Sequence, residues 1–299
     1  MRILVTGASG FIGLPVVQNL QQQGHNVLAL SRNIPKETAS SVSWLKADFS
    51  QPENYENYIQ KFAPETVIHL AWQGIPDFSF ETSLNNLNHS LNLLSFVTGL
   101  GTCKKILVSG SCFELNRLKG VCPETEIGTP KDDFTWAKHT LRSWLELACE
   151  KKQIELGWMR IFYVYGPRQR PASLVPSILA HLQNGTLPKL LTPKNKNDFV
   201  FVQDAASAFS NAVSIPIPSG IYHIGAGFST SVLEICRQAE QIVLGSDSLT
   251  CELEQKTKES ACDVDFWADY SNAEQFFDYL PKTNLLEGIE KTWQWLTSN

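Results

Sequence analysis

The chain has 299 residues, 43% hydrophobic and 18% charged, with a formal net charge of −5. That is enough apolar material for one large packed unit or two intimate ones. The acidic balance excludes an electrostatic case for nucleic acid or an anionic membrane as partner.

Other absences narrow the class further. The longest apolar runs, such as 66–72, are too short to cross a bilayer. The run after Arg2 ends at Thr6-Gly7 and does not read as a signal peptide. The seven cysteines are widely spaced and the six histidines scattered, so no metal site is expected, and a reduced cytoplasmic compartment is the simplest account.

Apolar runs predict strands over 3–6, 27–31, 43–46, 66–71 and 105–109. Helical patterns fall over 11–23, 52–61, 80–99 and 131–152. Repeated β-α-β units with apolar strands predict an α/β fold, a doubly wound parallel sheet covered on both faces. In such sheets ligands bind beyond the carboxyl ends of the strands, so the loops there carry the function.

The first of these loops is Thr6-Gly7-Ala8-Ser9-Gly10-Phe11-Ile12-Gly13. Glycines at a strand-to-helix turn permit positive φ and close approach to bare backbone. The helix that follows aims free N–H groups and its positive dipole end at the same point, which suits a phosphate. The second strand ends Ser31-Arg32 with no acidic residue to bind a ribose 2′-hydroxyl. A planar guanidinium suits a 2′-phosphate instead, which favours NADP over NAD.

The spacing G-x-x-G-x-x-G resembles the turn of the extended short-chain dehydrogenase/reductase family. Later segments carry the resemblance along the whole chain: Val67-Ile68-His69-Leu70-Ala71-Trp72, Asn86 to Leu94, Arg160-Ile161-Phe162-Tyr163-Val164-Tyr165-Gly166-Pro167, Asp198 to Ala206, and Tyr222-His223-Ile224-Gly225. The resemblance implies a Rossmann domain over 1–165, with 198–213 returning to it. It implies a smaller substrate lid over most of 166–299. It also implies a homodimer through helices around 80–99 and 131–152.

By the same resemblance Gly7, Gly10, Phe11, Ile12 and Gly13 hold the cofactor diphosphate. Leu70, Ala71 and Trp72 run beneath its ribose and diphosphate, and Phe162 and Val164 flank the nicotinamide. Asp48, with Phe49 after it, either touches the adenine or caps the helix near Pro52. Trp72 stands where the family has a small residue and reaches toward substrate. Asn86 helps organise the site. His69, inside an apolar strand, reads as a core histidine.

Three residues form the implied catalytic set. Ser111 ends the fifth strand and holds the substrate oxygen. Lys138 occupies the lysine position of the family's Tyr-x-x-x-Lys, in which a spacing of four puts both side chains on one helix face. Phe134 occupies the tyrosine position. A benzyl ring has no proton to exchange, and no tyrosine lies between Tyr58 and Tyr163. Three readings stay open: an engineered replacement; a natural enzyme using Tyr163, Thr135, Ser111 or water; or a protein that binds nucleotide without turnover.

Two substrate positions also depart from the family. Tyr163 replaces an Asn, and Asn197 replaces the Arg that clamps the substrate diphosphate; Arg168, Arg170, Lys194 or Lys196 then supplies the charge. Cys112 and Phe113 stand where dehydratases carry an acidic pair, which disfavours dehydration. The expected activity is NADPH-dependent reduction of an NDP-4-keto-6-deoxyhexose at C4. The alternatives are a 4-epimerase and a non-catalytic NADP(H) binder.

Overall fold

The computed structural model describes residues 1–35, 42–257 and 261–298. In chain order the first half runs β1 (Arg2–Thr6), α1 (Gly13–Gln22), β2 (Asn26–Ser31), β3 (Val42–Lys46), α2 (Glu56–Phe62), β4 (Thr66–His69), α3 (Phe80–Gly99), β5 (Lys105–Ser111), β6 (Lys119–Cys122), α4 (Asp133–Lys152) and β7 (Glu155–Ile161). The second half runs β8 (Tyr163–Tyr165), α5 (Leu174–Leu182), β9 (Lys196–Asn197), β10 (Phe199–Phe201), α6 (Val202–Ser214), β11 (Gly220–Ile224), β12 (Thr230–Ser231), α7 (Val232–Leu244), α8 (Ser248–Lys256), β13 (Asp265–Ala268), α9 (Ser271–Phe277) and α10 (Leu285–Ser298).

A seven-stranded sheet in the order β11-β7-β5-β4-β1-β2-β3 forms the centre. Its strands are parallel throughout. Ile3, Leu4 and Val5 of β1 are wholly buried, as a strand covered on both faces requires. One face packs against α3 and α4 through Leu4, Leu93, Val97, Leu141 and Leu145. The other packs against α1 and α6 through Val5, Val16, Leu20, Ala205 and Phe209. The order reverses beside β1, between β1 and β4, which is where the ligand crevice of such sheets opens.

Mostly from segments beyond β7, with β6 from before it, the chain builds a second body. β12-β9-β13-β6 form a small sheet, β8 pairs with β10, and α5, α7 and α10 enclose Ile178, Leu179, Ile235 and Ile289.

The sequence reading and the structure differ at particular places. β11 lies inside the expected lid segment, yet it pairs with β7 at the edge of the central sheet. Five residues of mixed burial carry no mark of which sheet they will join. β6 was not foreseen between the fifth strand and α4; it pairs with β13, some 140 residues on, information no local pattern holds. The helix expected over 52–61 divides into a 3-10 turn at Pro52–Asn54 and then α2. The first helix begins at Gly13 rather than residue 11, because 7–12 are spent on the turn.

Candidate active site

Below the carboxyl ends of β1, β2, β4 and β5 lies a cleft of about 600 Å³, within the range of small-molecule sites. At one end is the glycine turn. Gly7 has φ +66°, and a Cβ at Gly13 would stand 2.1 Å from the Gly7 carbonyl oxygen, so only glycine lets the turn fold back on itself. Ile12 caps α1 without a side-chain acceptor. By contrast Ser79 Oγ caps α3 and Asp132 Oδ1 caps α4. In the first turn of α1, Leu14 N donates to Gly10 O, Val16 N donates to Ile12 O and Pro15 has no N–H, so it is the backbone around Phe11, Ile12 and Gly13, at the positive end of the helix, that fits a dinucleotide's diphosphate.

At the end of β2, Ser31, Arg32 and Asn33 line the cleft. Ser31 Oγ pairs with Ser9 Oγ, and Arg32 donates to Gln73 Oε1 at 3.0 Å. No carboxylate lines the cleft among the described residues. A cation and two hydroxyls at this end fit a phosphate better than a ribose hydroxyl pair.

The expected cofactor residues Gly7, Gly10, Phe11, Ile12, Gly13, Phe49, Leu70, Ala71, Trp72, Phe162 and Val164 all line this cleft. Asp48 does not. Its carboxylate accepts from Ser50 N at 3.0 Å and Ser50 Oγ at 2.8 Å, which closes the turn after β3 and holds its pKa low. Asp48 is exposed between the lining residues Ala47 and Phe49, and the cap of the following 3-10 turn is Gln51, not Asp48.

The other end of the cleft is built on β5 and α4. Ser111 is the last residue of β5, and its Oγ accepts from Phe113 N at 3.2 Å. This leaves its O–H free to donate. Phe134 and Lys138 lie one turn apart on α4, and both line the cleft. Lys138 Nζ donates to Ser109 O at 2.8 Å and stands 3.9 Å from the centroid of the Trp72 ring. Burial lowers its pKa to about 8, with Glu114 opposing part of that shift.

Phe134 sits among rings. Phe78, Trp72 and Phe113 lie 4.8, 5.4 and 6.4 Å from it, centroid to centroid. The reacting end therefore presents an aromatic wall, one hydroxyl and one ammonium.

Several expected substrate residues stand elsewhere. Asn86 braces the loop after β4: its Oδ1 accepts from Gln73 N at 2.7 Å, and its Nδ2 donates to Gln73 O and Thr82 O. Cys112 is buried with Cys122, Phe162 and Phe266, turned away from the cleft by the 3-10 turn that follows Ser111. Tyr163 packs on Phe113, Phe199 and Phe266 and does not line the cleft. Arg168 is exposed, with φ +70°, also outside it. Asn197 belongs to the small sheet, paired with Thr230. Arg170 does line the cleft and donates to Ile75 O across it at 2.5 Å.

His69 is a core histidine, as expected. Ser90 Oγ donates to Asn86 O, so it accepts from His69 Nε2; Nδ1 then accepts from Thr6 Oγ1 at 2.9 Å. Burial pushes its pKa down to about 3.

The sequence reading missed Gln73 and Gln169, which line the cleft, and Phe78, which packs on Phe134. They sit in loops, where no periodicity marks which side chain turns inward. It also left Glu114 without a role. Glu114 is fully buried; it accepts from Ser111 N at 2.8 Å and Trp158 Nε1 at 2.9 Å, and pairs with Arg160 Nε at 3.3 Å. A carboxylate three residues past the end of β5 could have flagged a buried partner for Arg160. All seven cysteines are free, no group of three or more metal-ligating side chains occurs among the described residues, and no helix there is long and apolar enough to cross a membrane.

Residues 3–225 match the model of the NAD dependent epimerase/dehydratase family. A dTDP-6-deoxy-L-talose 4-dehydrogenase (NAD(+)) from Aggregatibacter actinomycetemcomitans is 27% identical over 233 residues, 76% of this chain and 85% of the relative. A crystal structure of UDP-glucose 4-epimerase with UDP-glucose from Thermotoga maritima superposes with TM-score 0.85 at 25% identity, covering 100% of this chain and 99% of that one. The fold is also that of a Thermus thermophilus UDP-glucose 4-epimerase complex with NAD, at TM-score 0.80 and 22% identity, over 99% of each chain.

Proposed function

The chain belongs to the NAD dependent epimerase/dehydratase family, and on that premise we propose that it is a nucleotide-sugar oxidoreductase that uses NADPH to reduce an NDP-4-keto-6-deoxyhexose at C4. The observation that carries this reading is the reacting end of the cleft. It offers a hydroxyl at Ser111 and a buried ammonium at Lys138, and no carboxylate or histidine among the described lining residues. Both groups polarise a carbonyl oxygen, which suits reduction. The neutral amine of Lys138 would serve the reverse direction, so a 4-epimerase stays the second reading. Dehydration is disfavoured because neither Cys112 nor Phe113 bears a carboxyl. The resemblance to a dehydrogenase that acts at C4 of a 6-deoxy sugar supports the same carbon.

The glycine turn and α1 would hold the diphosphate, Ser31 and Arg32 the 2′-phosphate, Lys138 the nicotinamide ribose, and Phe162 and Val164 the ring. The bound cofactor supplies hydride; the chain orients the ketone on Ser111 and keeps water from the ring with Trp72 and Phe134. NAD is the second choice, since relatives with NAD in their names share the fold. A 4-epimerase is the second reading of the reaction.

Residues 1–165 with 198–213 serve as the cofactor half in this reading, and most of 166–299 as the lid. A second copy would pair through α3 and α4, whose Phe80 and Leu147 are exposed. The free cysteines suit a reduced cytoplasm.

The test is NADPH and NADH oxidation with a panel of nucleotide 4-keto-6-deoxy sugars, followed by product analysis. Oxidation of one equivalent of NADPH per alcohol formed is the expected result. Interconversion of 4-epimers without net cofactor oxidation would establish the epimerase instead.

A further inference from the structure

We propose that the Lys138 ammonium supplies the proton the substrate oxygen takes up, a task no hydroxyl at position 134 performs in this chain. The inference rests on the reductase reading. Four side chains are weighed as the source: Ser111, Thr135, Lys138 and Tyr163; the hydroxyl of Ser109, which also lines the cleft, is given to His69 O at 3.4 Å. Geometry removes two of them. Thr135 is fully buried, and its hydroxyl is consumed by the α4 cap, donating to Asp132 and accepting from Lys131 N and Asp132 N. Tyr163 stands behind Phe113, whose ring centroid is 5.9 Å from Tyr163 and 6.4 Å from Phe134. Burial also raises its pKa above the usual value.

Ser111 lines the cleft, and its O–H is free. A serine hydroxyl passes a proton along but does not supply one at neutral pH, because its own acidity is far too weak. Lys138 remains. It lines the cleft, is 4% exposed, and has three N–H bonds, of which one is given to Ser109 O. Ser109 lies two residues before Ser111 on β5, and both line the cleft with Lys138. The ammonium is thus anchored on the strand that ends in the oxygen-holding Ser111.

The groups that bear on its charge are few. Glu114, in the turn after β5, favours the charged form. His69, from β4, is neutral. Trp72 and Phe134 meet it with ring faces. Burial outweighs Glu114 and brings the ammonium to about 8, a range in which it releases a proton readily.

A bound reduced nicotinamide would supply hydride to the carbonyl carbon and be oxidised in doing so, with the carbonyl π pair moving to oxygen. That oxygen takes a proton from Lys138 Nζ, directly or across the Ser111 hydroxyl. The ketone would become a secondary alcohol, and the neutral amine regains a proton from water.

Three forms of the full chain test this: the parent, Lys138→Arg and Phe134→Tyr. NADPH binding is read by fluorescence, reduction is followed from pH 6 to 10, and the lysine Cε resonances are titrated in the unliganded protein, with Lys138 assigned by its loss in Lys138→Arg. Parent turnover should fall about tenfold per pH unit above about 8, and the Lys138 resonance should titrate in the same range. Lys138→Arg keeps the cation but not its acidity. Compared at saturating NADPH, with the binding curve setting that concentration, it should lose roughly 100-fold or more in turnover. Phe134→Tyr should hold its rate above the pH at which the parent falls.

A Lys138 resonance that titrates only above pH 10, or Lys138→Arg with the parent's rate and pH limb, overturns the assignment. Phe134→Tyr active beside an inert parent also overturns it, while leaving the reductase reading intact. If both are inert on every sugar although NADPH binds, the reductase reading fails and the assignment falls with it.

Discussion

At one end of the cleft the glycine turn presents bare backbone, and its function depends on what is left out: no Cβ at Gly7, Gly10 or Gly13 and no side-chain cap on α1. At the other end β5 and α4 present rings and buried charge, and function depends on what is put in: Lys138 against Trp72, and Glu114 between Ser111 and Arg160. The backbone end tolerates almost no change of side-chain size. The side-chain end carries Phe134 where the family resemblance implies a tyrosine, and keeps its ammonium in place. In the proposed function, recognition of a dinucleotide would thus be fixed more rigidly than the chemistry done with it.

The largest expected effect breaks the side-chain end. Glu114→Gln leaves Arg160 and, at 3.8 Å, Arg142 facing an uncharged amide in a fully buried site. Removing one partner of such a buried pair costs about 3–5 kcal/mol, to be read as a lowered denaturant midpoint at constant slope. Next comes the backbone end. Gly13→Ala drives a Cβ into the Gly7 carbonyl, and overpacking of this kind costs about 1–3 kcal/mol. Calorimetric titration should show NADPH binding weakened at least in proportion while the 4-keto sugar site is untouched. The smallest effect sharpens the contrast. Arg32→Ala should raise the NADPH dissociation constant about 10-fold or more, as expected for a lost charge-assisted phosphate bond, and leave that for NADH unchanged. An unaltered ratio would remove the 2′-phosphate from this end.

The same contrast explains what was legible in the sequence. The glycine turn, the buried strands and Lys138 on its helix are local patterns with a fixed spacing, and the structure shows them where the residues placed them. Asp48 does not cap the turn that follows it; its carboxylate accepts from Ser50, and Gln51 takes the cap. Cys112, Tyr163 and Asn197 were expected at the substrate because of their order along the chain. The 3-10 turn after Ser111 and the pairing of β9 with β12 and β13 turn them elsewhere. Such turns depend on contacts between residues far apart in sequence.

The pairing of α1 with α6 has a consequence for how the molecule is made. Asn19 on α1 bonds Gln203 and Ser210 on α6, and Val16 and Leu20 share a core with Ala205 and Phe209. During synthesis α1 therefore leaves the ribosome some 180 residues before its cover does. Until then an apolar stripe on the nascent Rossmann half stays open to water or to a chaperone, and the cofactor turn it supports has no finished backing. The chain gains its first complete binding site late, and nearly all at once.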